Sequence, residues 1–252
     1  MVVPERFVKR TPPRAALYEA AGLRWLAEVV DGAPVVEVLD AGEREIVLER
    51  LIPAAPTREA ARKFGEGLAV THDAGAPAFG VPPSGWQGEG WIGTEPMTLH
   101  PSATWGAFYA EQRCLPYARR AYDRGGLDRE GLAVVERACT RISGGLYDDD
   151  APPARIHGDL WAGNVVVTAR GYVLIDPAAH GGHRITDLAM LALFGAPFLE
   201  DVYEAYESTS VRLPDDWRAL VGLHQLHPLL VHAALFGGGY GPQATAIARG
   251  LL

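Results

Sequence analysis

Apolar positions recur at helical spacing along much of the chain and gather into short runs elsewhere. Residues 5–10, ERFVKR, read as a short strand. Thr11-Pro12-Pro13 then opens a helix, because proline in a first turn gives up an N–H that has no intrahelical partner. Leu17, Ala20, Leu23, Leu26 and Val30 share one side of that helix, and Asp31-Gly32 ends it. Two apolar runs, 35–41 and 46–51, flank Gly42-Glu43 and predict a hairpin. Thr57 caps a second helix carrying Ala61, Phe64, Leu68 and His72. Positions 74–104 are rich in Gly, Pro and Trp and predict a long irregular segment. Such segments are uncommon without a function, so this one is a candidate wall for a substrate. Helical spacing returns over 105–124 and 128–146, and Asp148–Asp150 with Pro152-Pro153 marks a turn. The final third is helical, with Pro228 expected to bend or break a helix. The pattern predicts a small mixed α/β part, a linker near 51–57 and a larger, mostly helical part.

Composition narrows the function. Among 252 residues, 48% are hydrophobic and 21% charged, ordinary values for a water-exposed globular protein with room for one large domain or two modest lobes. The formal charge of −8 supplies no bulk basic face for nucleic acid and suits a positively charged substrate better. Cys114 and Cys139, with no CxxC spacing, argue against a disulfide scaffold and a cysteine zinc site. No run of 18 apolar residues suggests a membrane span, and the first ten residues lack the apolar core of a signal peptide. The expectation is a cytoplasmic protein with no membrane partner.

The chemistry concentrates in residues 156–176, IHGDLWAGNVVVTARGYVLID. His157-Gly158-Asp159 is followed by Asn164, a strand 165–168, a turn at Arg170-Gly171, and a strand 172–175 that ends in Asp176. Phosphoryl transfer asks a protein for positioning and charge neutralisation more than for covalent work. One carboxylate must face the acceptor hydroxyl, while a second carboxylate and an amide oxygen suit magnesium, a hard cation. A loop with Asp159 at its apex, then a hairpin running from Asn164 to Asp176, folds groups 17 positions apart into one such site. The arrangement resembles the H-R-D-x-x-x-x-N and D-F-G pair of protein kinases, with Gly158 in place of Arg and Pro177 after the second Asp.

The variant of the motif is more specific. HGDLWAGN, then IDPAAHGGHRITDLAML, closely resembles the fructosamine kinase (ketosamine-3-kinase) family. Trp161, Gly182, His183, Arg184 and Asp187 separate it from related aminoglycoside and choline phosphotransferases. The likeness continues through PERFVKR, ALYEAAGLRWL, KFGEGLAVTHDAG and WGAFYAEQRCLPYARRA, and so spans nearly the whole chain. The resemblance implies an α+β, protein-kinase-like fold of two lobes: an ATP-binding lobe over 1–52 and a catalytic and substrate-binding lobe over 53–252. It implies ATP-dependent phosphorylation of a sugar hydroxyl on a ketosamine of the fructosamine or ribulosamine type, which in the family serves deglycation. It also assigns roles. Asp159 is the catalytic residue that orients the acceptor. Asn164 and Asp176 hold Mg²⁺. Lys9, paired with Glu19, contacts the ATP phosphates, and the junction Glu49–Leu51 meets the adenine. Trp161, beside Asp159, is a candidate substrate-binding wall for the sugar or else a core residue, and His180, where many relatives have tyrosine, is a candidate substrate-binding residue or else lies on the surface.

Some positions lie outside that scheme. The family has two strands and a glycine-containing phosphate loop before the lysine strand, but only eight residues precede Lys9, so those elements are expected to be missing. His157, His183, Arg184 and Asp187 are expected to be structural, Asp187 as a cap or brace for the catalytic loop. His224, His227 and His232 are expected in helix packing or pocket lining rather than on zinc, and Gly237–Gly239 in a flexible turn. Two other readings stand beside the main one: a different small-molecule kinase of the aminoglycoside or choline type, and a catalytically silent kinase-like binding module.

Overall fold

The structure, a computed structural model, describes residues 5–252; residues 1–4 of the stretch read for a signal peptide lie outside the described residues. Strand β1 (Arg6–Arg10) leads into helix α1 (Ala15–Ala27), followed by β2 (Val38–Ala41) and β3 (Glu45–Glu49). Among the described residues these strands form one antiparallel sheet in the order β1-β3-β2, with Lys9 opposite Ile46. Ala16, Ala20 and Leu23 of α1 close over Val36, Ile46 and Leu48 to form a small apolar core. Burying each of the leucine, isoleucine and valine side chains is worth roughly 1.5–3 kcal/mol, and each alanine less.

Helix α1 begins later than the Thr-Pro-Pro signal suggests. The second proline keeps Pro12 out of the α region, and Arg14 takes a left-handed φ of 66° just before the first helical residue. It also ends earlier. Asp31 turns with φ of 60°, and Val30 is left 81% exposed instead of joining the apolar side.

Residues 50–57 run without regular structure to α2 (Arg58–Asp73), capped by the Thr57 hydroxyl. The segment 74–104 is less irregular than its composition suggests. It holds a hairpin, β4 (Gly90–Ile92) and β5 (Glu95–Met97), whose buried Glu95 is paired with Arg120 and Arg124. The single helix expected over 105–124 is three pieces: α3 (Trp105–Phe108), a π-helical turn (Tyr109–Cys114) and α4 (Leu115–Asp123). Pro116 has no N–H to continue the ladder, and the Gln112 carbonyl accepts from Arg113 Nη1 at 3.1 Å instead. Helix α5 (Arg129–Ser143) stops at Gly144-Gly145, short of Leu146.

Strand β6 (Ala154–Ile156) enters the motif, which continues as β7 (Val165–Thr168), β8 (Gly171–Leu174) and β9 (His180–Gly182), and α6 (Arg184–Phe194), α7 (Leu199–Thr209), α8 (Trp217–Phe236) and α9 (Tyr240–Gly250) complete the chain. Pro228 does not break α8. Tyr109 inserts its hydroxyl into the ladder there, donating to the Leu223 carbonyl at 2.8 Å and accepting from the His227 N–H at 3.1 Å. By length and composition α8 could cross a membrane, but Leu226, Leu229 and Leu230 are core residues packed with Tyr109, Tyr117 and Val135. Gly65 lets α2 and α7 approach closely, since a Cβ there would meet the Val202 carbonyl oxygen at 2.2 Å.

Candidate active site

Two short antiparallel ladders hold the motif. Strand β6 pairs with β9, setting Ile156 opposite His180, and β7 pairs with β8, setting Val165 opposite Leu174. Between them His157–Asn164 forms a loop whose backbone is pinned from beneath. Asp187, at the start of α6 and fully buried, accepts the N–H of His157 at 2.7 Å and of Gly158 at 2.9 Å. The same carboxylate faces His72 Nε2 at 3.1 Å, and His72 Nδ1 meets the Tyr206 hydroxyl at 2.8 Å. Burial pushes the Asp187 carboxyl up, but His72 and the loop N–H groups more than offset it and hold it below the usual carboxylate range.

Gly158 is required where it stands. Its φ is +82°, and a Cβ would meet the Ala178 carbonyl oxygen at 2.3 Å. His157 is fully buried. Its Nε2 donates to the Ile175 carbonyl at 2.8 Å and its Nδ1 accepts from the Asp159 N–H at 3.2 Å, an assignment that satisfies a neutral ring. Burial lowers its pKa, in keeping with neutrality. His157 therefore staples the loop to the hairpin.

Asp159 projects from the loop with limited solvent access. Burial pushes its carboxyl up to about 6, opposed by a hydrogen bond from Asn164. The Asn164 amide nitrogen donates to Asp159 Oδ2 at 3.0 Å and to the Asp159 carbonyl at 2.8 Å, leaving its Oδ1 as the free oxygen of that side chain. Asp176 follows the hairpin in a left-handed conformation, φ 52°, uncommon for a residue with a Cβ and tolerated best by Asp and Asn among those. Its Oδ1 lies 2.8 Å from Lys9 Nζ. Lys9 also meets Glu19 Oε2 at 2.9 Å. Burial would depress the Lys9 ammonium, but the two carboxylates outweigh it and raise its pKa. Burial takes Glu19 the other way, up to about 7, with Lys9 resisting the rise.

Lys9, Glu19, Asp159, Asn164 and Asp176 thus share one cleft of about 640 Å³. The opposite wall is aromatic. Trp161 lies over Gly163 and meets Phe194 at 6.0 Å between ring centroids, Phe194 meets His232 at 5.0 Å, and His232 meets Phe236 at 5.6 Å and Tyr240 at 5.1 Å. His232 Nδ1 is committed to the Pro228 carbonyl at 2.7 Å, which leaves Nε2 as an acceptor. Trp91, Ile92, Gly93 and Thr94, from the β4–β5 hairpin, line the same cleft.

Three sequence-predicted residues are not in this cleft. His180 is 2% exposed; its Nδ1 donates to the Ala178 carbonyl at 2.7 Å, and Arg113 Nε approaches its Nε2 at 3.4 Å. It is a core residue of β9, since the β6–β9 pairing turns it inward, and the expectation that it faces substrate is corrected. Glu49 spends its carboxylate on Arg170 at 2.6 Å, and Leu51 packs against the small N-terminal core. His232 lines the cleft, one of the two placements expected for it, whereas Phe194, Phe236 and Tyr240 were missed as cleft residues. Local spacing marks them only as members of late helices, and the cleft forms from elements far apart in sequence.

The donor set suits a hard cation. Asp176 carries a carboxylate oxygen not bound to Lys9, and Asn164 a free amide oxygen, both on the cleft. Among the described residues no group of three or more His, Cys, Asp or Glu side chains is placed to hold a metal ion. His224 instead bonds the Thr186 hydroxyl at 3.0 Å and stacks on Trp105.

Comparison with known proteins bears on what this cleft belongs to. The model of the family described as fructosamine kinase matches residues 7–252. A probable ketoamine kinase of Thermus thermophilus is 33% identical over 242 residues, covering 93% of this chain and 83% of that protein. Ketosamine-3-kinase of Mus musculus is 36% identical over 147 residues, 58% of this chain and 47% of that protein. The crystal structure of a candidate fructosamine-3-kinase from Thermobifida fusca shares 46% identity and a TM-score of 0.90, covering 98% of this chain and 85% of that one. An aminoglycoside phosphotransferase, solved with ADP and hygromycin B, is 16% identical with a TM-score of 0.60 over 98% of this chain and 84% of its own, a likeness of fold. The architecture is accordingly the α+β, two-lobed protein-kinase-like fold.

Proposed function

The chain belongs to the fructosamine kinase family, and from that premise we propose that it transfers the γ-phosphoryl group of ATP to a sugar hydroxyl of a ketosamine. The observation that carries this reading is the meeting of Asp159, Asn164, Asp176 and the Lys9–Glu19 pair in one cleft with an aromatic opposite wall. Residues 1–52 form the nucleotide lobe and 53–252 the catalytic lobe.

Asp159 orients the acceptor hydroxyl toward the phosphoryl group and takes its proton. At neutral pH a carboxylate with a pKa near 6 is ionised and is a better proton acceptor than one at the ordinary value. Positioning is the larger contribution, and the Asp187 brace beneath the loop limits where that carboxylate can stand. Asn164 Oδ1 and Asp176 are the groups that would hold Mg²⁺. Bound there, the ion supplies neutralisation of phosphate oxygens as charge builds on them. Lys9 carries a fixed positive charge toward the α- and β-phosphates, and Glu19 keeps its ammonium from swinging away. The lobe junction Glu49–Leu51, which lies outside that cleft, would meet the adenine through backbone groups. On the acceptor side Trp161 offers a face to the sugar, and the surrounding rings suit the carbon skeleton and protonated amine of a ketosamine. Freeing an amine from a glycation adduct is the physiological role this activity supports.

The test is ADP release with a panel of acceptors. Ribulosamine and fructosamine adducts are expected to be turned over, and choline and aminoglycosides not. Turnover of an aminoglycoside or choline with none of a ketosamine would overturn the reading.

A further inference from the structure

A second cavity, of about 440 Å³, shares no lining residue with the cleft and has the opposite electrostatic character. Three arginines line it, Arg155 on β6, Arg184 on α6 and Arg212 after α7, against one lining carboxylate, Asp73. That carboxylate is already engaged by Arg184 Nη1, the Ser210 hydroxyl at 3.2 Å and the Val211 N–H at 3.1 Å. Arg184 is 1% exposed, and its Nε and Nη2 have no hydrogen-bond partner among the described residues. Arg155 stacks over Trp25, reaches the Trp25 carbonyl and Glu28 through Nη1, and also leaves a buried Nε without a partner. Arg212 is exposed and makes no ion pair among the described residues.

A chain of net charge −8 has therefore gathered a local surplus of positive charge around a concavity. An oxyanion suits such a cluster, because guanidinium groups present N–H donors in a planar, forked geometry that matches it. Asp73 offsets Arg184 and Glu28 offsets Arg155, so the surplus is the charge of Arg212, which suits an anion. We propose that this cavity binds a small phosphate anion, either inorganic phosphate or the phosphate of a small phosphomonoester.

The test is calorimetric titration of the full chain with inorganic phosphate and, separately, with glycerol 3-phosphate. Sodium chloride holds the ionic strength constant, and a saturating non-hydrolysable ATP analogue with Mg²⁺ occupies the cleft. Saturable one-to-one binding is expected, weakened about tenfold or more by Arg212→Ala, in line with the loss of one charge-assisted contact. Arg212 is exposed, so that variant is expected to melt with the parent protein. Tighter binding of glycerol 3-phosphate identifies the phosphomonoester as the ligand, and tighter binding of inorganic phosphate identifies the free ion. No saturable heat from either, or affinities unchanged by Arg212→Ala, would overturn the assignment.

Discussion

The side-chain amide of Asn164 donates to Oδ2 of Asp159 at 3.0 Å, so the residue placed to hold a cation also fixes the residue placed to face the acceptor. The bond does electrostatic work as well. It favours the ionised form of a carboxylate that burial alone would push higher than about 6.

The activity should therefore carry an acidic limb near pH 6. Below it Asp159 is protonated and cannot accept the hydroxyl proton; above it the carboxylate is ionised. A profile of log kcat/KM against pH, which reads the free enzyme, is expected to rise through about pH 6 and then level. A limb near the ordinary carboxylate value of 3.8 would mean that another group sets the rate.

The same shift has a cost in stability. With a folded pKa of about 6 against 3.8 for an unperturbed Asp, the native state binds the proton more tightly than the unfolded chain does. The contribution of Asp159 to stability is thus fully present below the unfolded value and lost as pH rises through the folded one. Asp159→Asn removes the charge and keeps the shape. Its Tm is expected to exceed that of the parent at pH 8, with the gap closing toward pH 4. An equal gap at both pH values would contradict the assignment.

Asp176→Asn keeps a residue that tolerates the left-handed backbone and removes the carboxylate. ATP binding, followed by thermal shift, should lose its dependence on Mg²⁺ in this variant. Unchanged magnesium dependence would place the cation elsewhere.

Asp187→Ala leaves His72 and two buried N–H groups of the catalytic loop without their acceptor. Breaking such a buried set costs about 3–5 kcal/mol, which urea denaturation would register as a lower midpoint. The depressed carboxyl also means that the stabilisation from Asp187 is present at neutral pH and lost as acid carries it through its folded pKa.

Much of this site is legible in the sequence. The order HGD, Asn164, hairpin, Asp176 is local, and a β7–β8 ladder of four residue pairs can bring its ends together only one way. The β2–β3 hairpin and the Thr57 cap follow from equally short-range signals, whereas the Asp187 brace reaches across about 30 positions of sequence. Long-range packing was not legible. His180 looked outward in the sequence, yet its pairing with Ile156 turns it into the core beside Arg113. The π-helical turn and the Tyr109 hydroxyl lodged in α8 come from Pro116 and Pro228 acting together with distant partners. The aromatic wall draws on α6, α8 and α9, which no single periodicity connects.

The most direct test compares the parent protein with Asp159→Asn in ketosamine-dependent ADP release, with nucleotide binding measured on the same samples. A catalytic carboxylate of this kind is worth about 10²- to 10⁴-fold. Turnover is expected to fall by that factor while the affinity for Mg²⁺-ATP stays within a few-fold of the parent. Turnover that survives the substitution would contradict the account at its centre.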